Sequence, residues 1–389
     1  MTRGIYIGDN NKAKTVAKAY VGVSGKAREV IYMYIGVNGK AKMIWPNTVA
    51  VRVTYVAPLS VARDHLAATK VGNYALFGGG ETTTYSNDVG SYTTTAVVDY
   101  YNTSLVKGVA SSLQLAREDP TGTYIGNYAL FCGGSYYTNS SDSTTSTVVS
   151  TVDAYNTSLT RSSPTALSVS RSNIAGATFN GGNYTLLGGG STGALKDSAA
   201  VDAYNASLTK TSPTSLSLAG SKSAVAVGNY ILFNGHQFGS DSNTTEAYNT
   251  SLTRSTITSL SVTRTPGTAS IANYGLFAGG SMDITKYSDT VEAYNASLTC
   301  STITSLSVAR SWVQGFFLNN YVLFGGGVTG MLTYTSIVDI YNTSLTRENP
   351  SNVSTGGFNY AATTVGNYGL FGGGNNSSRT SNVDAFQII

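Results

Sequence analysis

Charge is scarce: only 11% of the 389 residues are Asp, Glu, Lys or Arg. Low charge is compatible with a polar, disordered chain, but 41% of the residues are hydrophobic and recur in regular alternation, which excludes one. Cysteine is almost missing. Cys132 and Cys300 stand at unrelated positions of a repeated sequence, so both read as free thiols. There are two histidines, His65 and His236, and no His/Cys/Asp grouping with metal spacing, no nucleophile elbow and no Asp-rich calcium loop. Neither a metal nor a cofactor is therefore expected. No stretch approaches the roughly 20 apolar residues of a membrane-spanning helix, and the opening MTRGIYIGDNNKAK lacks the apolar run of a secretory signal. The expectation is synthesis in a cytoplasm, without membrane insertion. Helix caps are lacking throughout, which leaves strands to build the fold.

What is abundant is one phrase: GNYALFGGG, a loop of changing length, VDAYNTSLTR, a spacer, and LSVAR. The tyrosine of its NY pair falls at Tyr74, Tyr128, Tyr184, Tyr230, Tyr274, Tyr321 and Tyr368, at intervals of 54, 56, 46, 44, 47 and 47 residues. A period of about 45–50 residues with several strands per unit is that of a β-propeller blade, and there are seven copies. Each copy predicts four strands: an inner one after an Arg (Ala67 to Val71 in the first), YALFGGG, VDAYN, and an outer one from LTR to LSVA. The glycine triplet follows a strand but opens no helix, so it reads as backbone crowding near the axis and not as a phosphate loop. The Asn-x-Ser/Thr triplets at Asn102, Asn156, Asn205, Asn249, Asn295 and Asn342 read as turns. Val51–Arg63 aligns without a gap with Leu252–Arg264, while the seventh copy ends at Val383–Ile389, before its last strand. The fold class is thus all-β, a seven-bladed propeller over 47–389 closed by pairing Val51–Tyr55 with Val383–Ile389.

Residues 1–46 are a different repeat, with Tyr6, Tyr20 and Tyr34 14 residues apart. Each unit alternates apolar residues and turns at a Gly, as in Ser24-Gly25 and Asn38-Gly39, which predicts small antiparallel hairpins. Eight basic residues face two acids here, a net +6, whereas the whole chain is +4; residues 47–389 therefore carry about −2. Three hairpins bury little apolar surface alone, so this module is expected to attach to a partner or to its own copies, as a homo-oligomer such as a trimer. Lys12, Lys14, Lys40 and Lys42 are the candidate attachment residues. They lie at regular strand starts without the clustering that nucleic acid favours, and no nucleic-acid partner is expected.

A glycine triplet after an apolar strand, an acid-x-Tyr strand and an Arg before the next unit resemble a kelch repeat, over about residues 49–389. The sequence departs from it in lacking the tryptophan six residues after the tyrosine; Leu159 or its neighbours fill that region, and Trp312 is the only tryptophan of 47–389. The phrase YNTSLTR…LSVAR with GNYxLFGGG, together with the GVNGKAR-like units, is similar to bacteriophage or prophage tail proteins of Gram-positive gut bacteria. That resemblance implies a virion component whose propeller is a receptor-binding or adhesion domain. It would be joined to other tail or virion proteins through 1–46 and meet a host cell-surface glycan or protein.

Antiparallel order places the Gly-Asn hairpins and Tyr-Asn turns on one face, and the loops after the glycine triplets with the Arg-bearing connections on the other. The post-glycine loops differ in every copy and carry aromatics, the mixture of an adaptable recognition surface. Candidate ligand-binding residues are Tyr85, Tyr92, Tyr136, Tyr137, His236, Phe238, Tyr287 and Tyr334. Arg63, Arg117, Arg171, Arg264 and Arg310 recur at blade junctions, with acids in the third strand (Asp99, Asp153, Asp202, Glu246, Glu292, Asp339, Asp384). They are read as structural ion pairs more than as an anion-gripping ring. No catalytic residue is singled out and no enzyme is expected. The alternatives are a virion decoration without ligand, or a carbohydrate-active enzyme should two acids meet in the channel.

Overall fold

The computed structural model describes residues 6–9, 12–15, 20–23, 26–29, 33–37, 40–45, 50–53, 55–86, 89–137, 146–193, 196–236, 243–283, 285–348 and 351–388. Among these, every regular element is a strand. Residues 50–388 form seven four-stranded antiparallel sheets, each in the order inner, second, third, outer. In blade one these are Ala67–Val71, Tyr74–Gly78, Val98–Asn102 and Lys107–Val109. Apart from the last, the blades are contiguous in sequence. Blade seven takes Ala361–Val365, Tyr368–Gly372 and Val383–Ile388 from the C-terminal end and Ala50–Arg52 as its outer strand, with Phe386 opposite Arg52 and Ile388 opposite Ala50. The expected closure is present, beginning at Ala50 and ending before Tyr55. It removes the free sheet edge that an open array would expose.

The repeated residues explain why blades stack. The second strand is buried along its length because it lies mid-sheet between neighbouring blades. The first glycine of each triplet leaves room for the next blade's ring: a Cβ on Gly78 would lie 2.7 Å from Phe131, and one on Gly372 would lie 2.7 Å from Phe77, which joins blade seven to blade one. Phe77 meets Tyr101 edge-on at 5.9 Å, and the pair recurs as Phe131–Tyr155 and Phe324–Tyr341. Each such tyrosine donates its hydroxyl to a carbonyl of the preceding segment, as Tyr101 to Ala57 at 2.6 Å and Tyr155 to Ser111 at 2.7 Å.

The junction arginines are buried, as expected. Each pairs with the third-strand acid of the blade it enters: Arg63–Asp99 2.9 Å, Arg117–Asp153 2.8 Å, Arg171–Asp202 2.7 Å, Arg264–Glu292 2.7 Å, Arg310–Asp339 2.8 Å. The same guanidinium donates to the carbonyl before the glycines, at 3.0 Å from Arg63 to Phe77 and 3.1 Å from Arg117 to Phe131. The acid's other contacts are a backbone N–H, such as Ser168 on Asp202, and an outer cation, such as Arg161 on Asp153 at 2.8 Å. Where the junction has glycine at Gly357, the Tyr360 hydroxyl sits 2.7 Å from where a Cβ would be, so the ring takes the vacant space.

Two expectations need correction. The outer strand does not run to LSVA: it is two to four residues long, as Arg161–Ser162 and Arg254–Ile257, and the rest is irregular with its leucine (Leu113, Leu167, Leu260) buried. That segment bonds to acid side chains and tyrosine hydroxyls instead of a ladder. The post-glycine segments are also more regular than loops. Glu81–Ser86 pairs with Val89–Thr94, and Ser135–Tyr137 with Ser146–Val148, as extra hairpins. Alternating threonine and tyrosine favours strand, and Thr82 and Thr93 hydroxyls meet across the pair at 2.7 Å. The Asn-x-Ser/Thr positions are turns: Asn102 Oδ1 accepts from the N–H groups of Ser104 and Val106 at 2.9 and 3.0 Å. Cys132 and Cys300 are free. In 1–46 three hairpins are described by their backbones, Tyr6–Asp9 with Lys12–Thr15, Tyr20–Val23 with Lys26–Glu29, and Met33–Val37 with Lys40–Trp45. The side chains of Lys12, Lys14, Lys40 and Lys42 lie outside the described part.

Candidate functional site

The two faces are as the repeat order requires. A Cβ on Gly72 would lie 3.2 Å from Thr157, so the inner hairpins pack on the Tyr-Asn turns of the next blade. On the other face, in five blades the residue after the junction Arg or Gly pairs by a single bridge with the residue after the glycines: Asp64 with Glu81, Glu118 with Ser135, Ser172 with Ser191, Ser311 with Val328 and Phe358 with Asn375. One position further, the chain turns into the left-handed region at His65, Asp119, Asn173, Trp312 and Asn359, with φ between 48° and 57°. The bend sets one side chain at the rim in each of these five blades, and Asp119, Asn173 and Trp312 line the central channel. Most L residues avoid this region, yet it recurs here as it does at Leu105, Leu159, Leu208, Leu252, Leu298 and Leu345 in the Tyr-Asn turns of the other face, so the repeat itself fixes both bends.

The rim residues are joined. Asn359 Nδ2 lies 2.9 Å from His65 Nε2, the Asp119 N–H donates to the His65 carbonyl at 2.8 Å, and Asn173 Nδ2 donates to Asp119 Oδ2 at 3.1 Å. On the far side Trp312, 52% exposed, meets Phe358 edge-on at 6.2 Å, and Phe358 stacks on Tyr334 at 5.6 Å with planes 8° apart. The rim therefore offers one exposed indole backed by two half-buried rings, and hydrogen-bonding side chains at Asp119 and Asn173. Below it runs a channel of about 860 Å³, lined by the inner strands.

Behind the rim of blades seven, one and two lies a buried polar cluster. Arg379 Nε donates to Asp64 Oδ1 at 2.7 Å and its Nη2 to Glu81, Asn375 Nδ2 donates to Asp64 Oδ2 at 2.9 Å, and the Arg379 guanidinium lies over the Tyr92 ring at 5.5 Å. The Tyr137 hydroxyl is 3.0 Å from Glu81 Oε2 and 2.9 Å from Glu118 Oε2. A phenol has one proton and can serve one carboxylate, so the three oxygens require a second proton among them. Burial raises the Glu118 carboxyl to about 8, helped by the Asp119 charge and the Glu81 hydrogen bond. Burial opposes charge on His65, but the Asp64 hydrogen bond and the Asp119, Asp64 and Glu118 charges outweigh it and lift the imidazole to about 9. Burial and the same two carboxylates hold the Tyr137 hydroxyl far above the usual phenol range.

Ligand atoms of Asp64, His65 and Glu81 lie within 4.8 Å of one another, a grouping that sequence spacing did not disclose. It suits a metal poorly, because Arg379 already neutralises both carboxylates and Asn359 Nδ2 occupies His65 Nε2. Asp64 is held below its ordinary value and matters only in acid, so above pH 6 the pH dependence has one sign. His65 and Glu118 both titrate above their ordinary values of 6.5 and 4.5, so each contributes stability that is complete below that value and lost as pH rises through about 9 and about 8. The melting temperature should fall between pH 6 and 9, and Glu118→Gln should flatten the part below 8. A melting curve indifferent to pH in that window, or an unchanged slope in the variant, contradicts the shared proton.

Of the anticipated binding residues, the structure brings together Tyr92 and Tyr137, with ring centroids 6.3 Å apart, and stacks Tyr334 on Phe358. Tyr136 and Tyr287 are half-buried on hairpin strands. Tyr85 and His236 lie on strands, but their side chains fall outside the described part, and Phe238 lies outside the described residues altogether. Tyr137 is not a free tip residue: it is bonded to two buried acids, so its loss carries a stability cost. Asp64, Glu81, Glu118 and Arg379 also place a buried group of charges behind this face. The acids were discoverable: they stand where sister copies have Ser172, Ser191 and Ser311. Trp312 shares its slot with His65 and Asn359.

Fold and site together define a seven-bladed β-propeller with an elaborated channel mouth. No protein-family model matches the chain, and no curated protein is similar to it in sequence. Among solved structures, that of a protein named YjhT superposes with a TM-score of 0.57 at 11% identity, covering 76% of this chain and 99% of that one. At that identity the likeness is one of fold.

Proposed function

We propose that the propeller is a non-catalytic recognition domain that binds a cell-surface glycan at the channel mouth. The observation that carries this reading is Trp312, bent to the rim and left half exposed beside the stacked Phe358–Tyr334 pair. An exposed indole presents an apolar platform for the C–H face of a sugar ring, and the Asn173 amide and Asp119 carboxylate, which also line the channel, supply partners for its hydroxyls. Catalysis does not enter the reading. The buried acids are already engaged: Arg379 holds Asp64 and Glu81, and the Tyr137 hydroxyl lies between Glu81 and Glu118. The kelch-like repeat and the likeness to tail proteins support a setting in which residues 1–46 anchor the chain to a virion and the propeller meets the host.

A glycan array probed with the full chain and with Trp312→Ala tests this. The wild type should bind a subset of oligosaccharides and the variant should lose them, with its melting temperature unchanged because the side chain is half exposed. A propeller that binds none favours a decoration role, and release of shortened glycans favours an enzyme; either result ends the proposal.

A further inference from the structure

The inner strands share a register, which defines a second ring of side chains deeper in the channel. Lys70 opposes Ala75, Tyr124 opposes Ala129, Thr178 opposes Thr185, Ser270 opposes Gly275, Phe317 opposes Val322 and Thr364 opposes Gly369, one rung in six blades, with an alanine in the fourth. All of these line the channel. The rung lies three residues, about 10 Å, along the strand from Ala67, towards the turn face. Small uncharged residues make up most of it, and three do not fit that pattern. Tyr124 and Phe317 are 41% and 45% exposed inside the channel, although neighbouring rungs are filled by glycine, alanine and threonine. Lys70 is the rung's one charge.

Among the described residues no carboxylate lies within ion-pair distance of Lys70. Its Nζ is 3.4 Å from Thr364 Oγ1 and 5.0 Å from the Tyr124 ring centroid, contacts to the two flanking blades. Burial lowers its pKa, with no opposing charge. Most other cations of the propeller are paired with acids, so an ammonium left without one in a cavity is an exception. Beside it, at the turn-face exit, a second cavity of about 280 Å³ is lined by Lys70, Tyr124, Thr364 and hairpin backbone, without an acid. The channel's acid, Asp119, sits at the opposite mouth.

We propose that this rung is a binding site for a small carboxylate carried on a ring, such as a sugar acid. The carboxylate would pair with Lys70 and accept from Thr364, and the ring would lie against Tyr124 or Phe317. The site is separate from the rim and does not rest on the glycan reading. Saturation-transfer NMR on the full chain, with D-glucuronate and D-glucose as probes, tests it. Glucuronate should bind more strongly than glucose, lose roughly tenfold in affinity in Lys70→Gln, and be unaffected by Trp312→Ala. Lys70→Gln should melt no lower than the wild type, since it removes an uncompensated charge. Equal binding of the two sugars, equal binding of glucuronate by wild type and Lys70→Gln, or a variant that melts markedly lower would each overturn the assignment.

Discussion

Deletion of residues 1–57 should convert a soluble protein into an aggregating one, whereas deletion of 1–46 should not. The longer deletion takes away Ala50–Arg52, the outer strand of blade seven, and leaves Val383–Ile388 with an unpaired edge. It also removes Arg52, paired with Asp384 at 2.9 Å, the Val53 N–H bond to Ala385 at 2.7 Å, and the Ala57 carbonyl that takes the buried Tyr101 hydroxyl. Buried Ala50, part of the core with Phe386 and Leu318, goes with them. Loss of pairing, of an ion pair and of core at one seam cannot be repaired locally, because the ring has no spare strand. Light scattering on the two truncations separates the outcomes, and equal solubility would show that the seam is not what closes the ring.

Replacing one junction arginine should have the next largest effect. Arg117→Ala leaves Asp153 buried without its inner cation and takes the guanidinium donor from the Phe131 carbonyl, although Arg161 still reaches the other carboxylate oxygen at 2.8 Å. The cost should be about 2–4 kcal/mol, arising from the orphaned groups more than from lost attraction. For a ring of this size that is a fall of roughly 3–6 °C in melting temperature. Arg117→Lys should recover little of it, since an ammonium cannot span carboxylate and carbonyl in the planar geometry of a guanidinium. If Arg117→Ala melts like the wild type but loses ligand, the arginines bind and do not brace.

These architectural features were legible because each is written in four or more of the seven blades. A glycine that faces a phenylalanine, a tyrosine that caps a carbonyl and an acid that meets an arginine recur at fixed offsets, and Val51–Arg63 betrays its blade by alignment alone. The mouth was not legible for the opposite reason. Asp64, Glu81, Glu118, Tyr137 and Arg379 depart from the repeat, lie up to 315 residues apart and meet only because blade seven closes on blade one. Tyr137 looked like a loop tip because its partners are two acids from different blades. The bend that brings Trp312 to the rim depends on backbone dihedrals, and no single residue type marks it: histidine, aspartate, asparagine and tryptophan all occupy it. The hydrogen bonds of the irregular outer segments are invisible in sequence for the same reason, since their partners are side chains of the neighbouring blade.

Trp312 also provides the most direct test of recognition at the rim. In a full chain carrying Trp45→Phe it is the sole tryptophan, so its emission reports on the channel mouth alone. Titration with an oligosaccharide retained on the array should give a saturable change in Trp312 intensity and wavelength, with a midpoint matching the affinity measured by calorimetry. If calorimetry records binding while Trp312 emission stays constant to saturation, the glycan is held elsewhere and the channel mouth is not the recognition site.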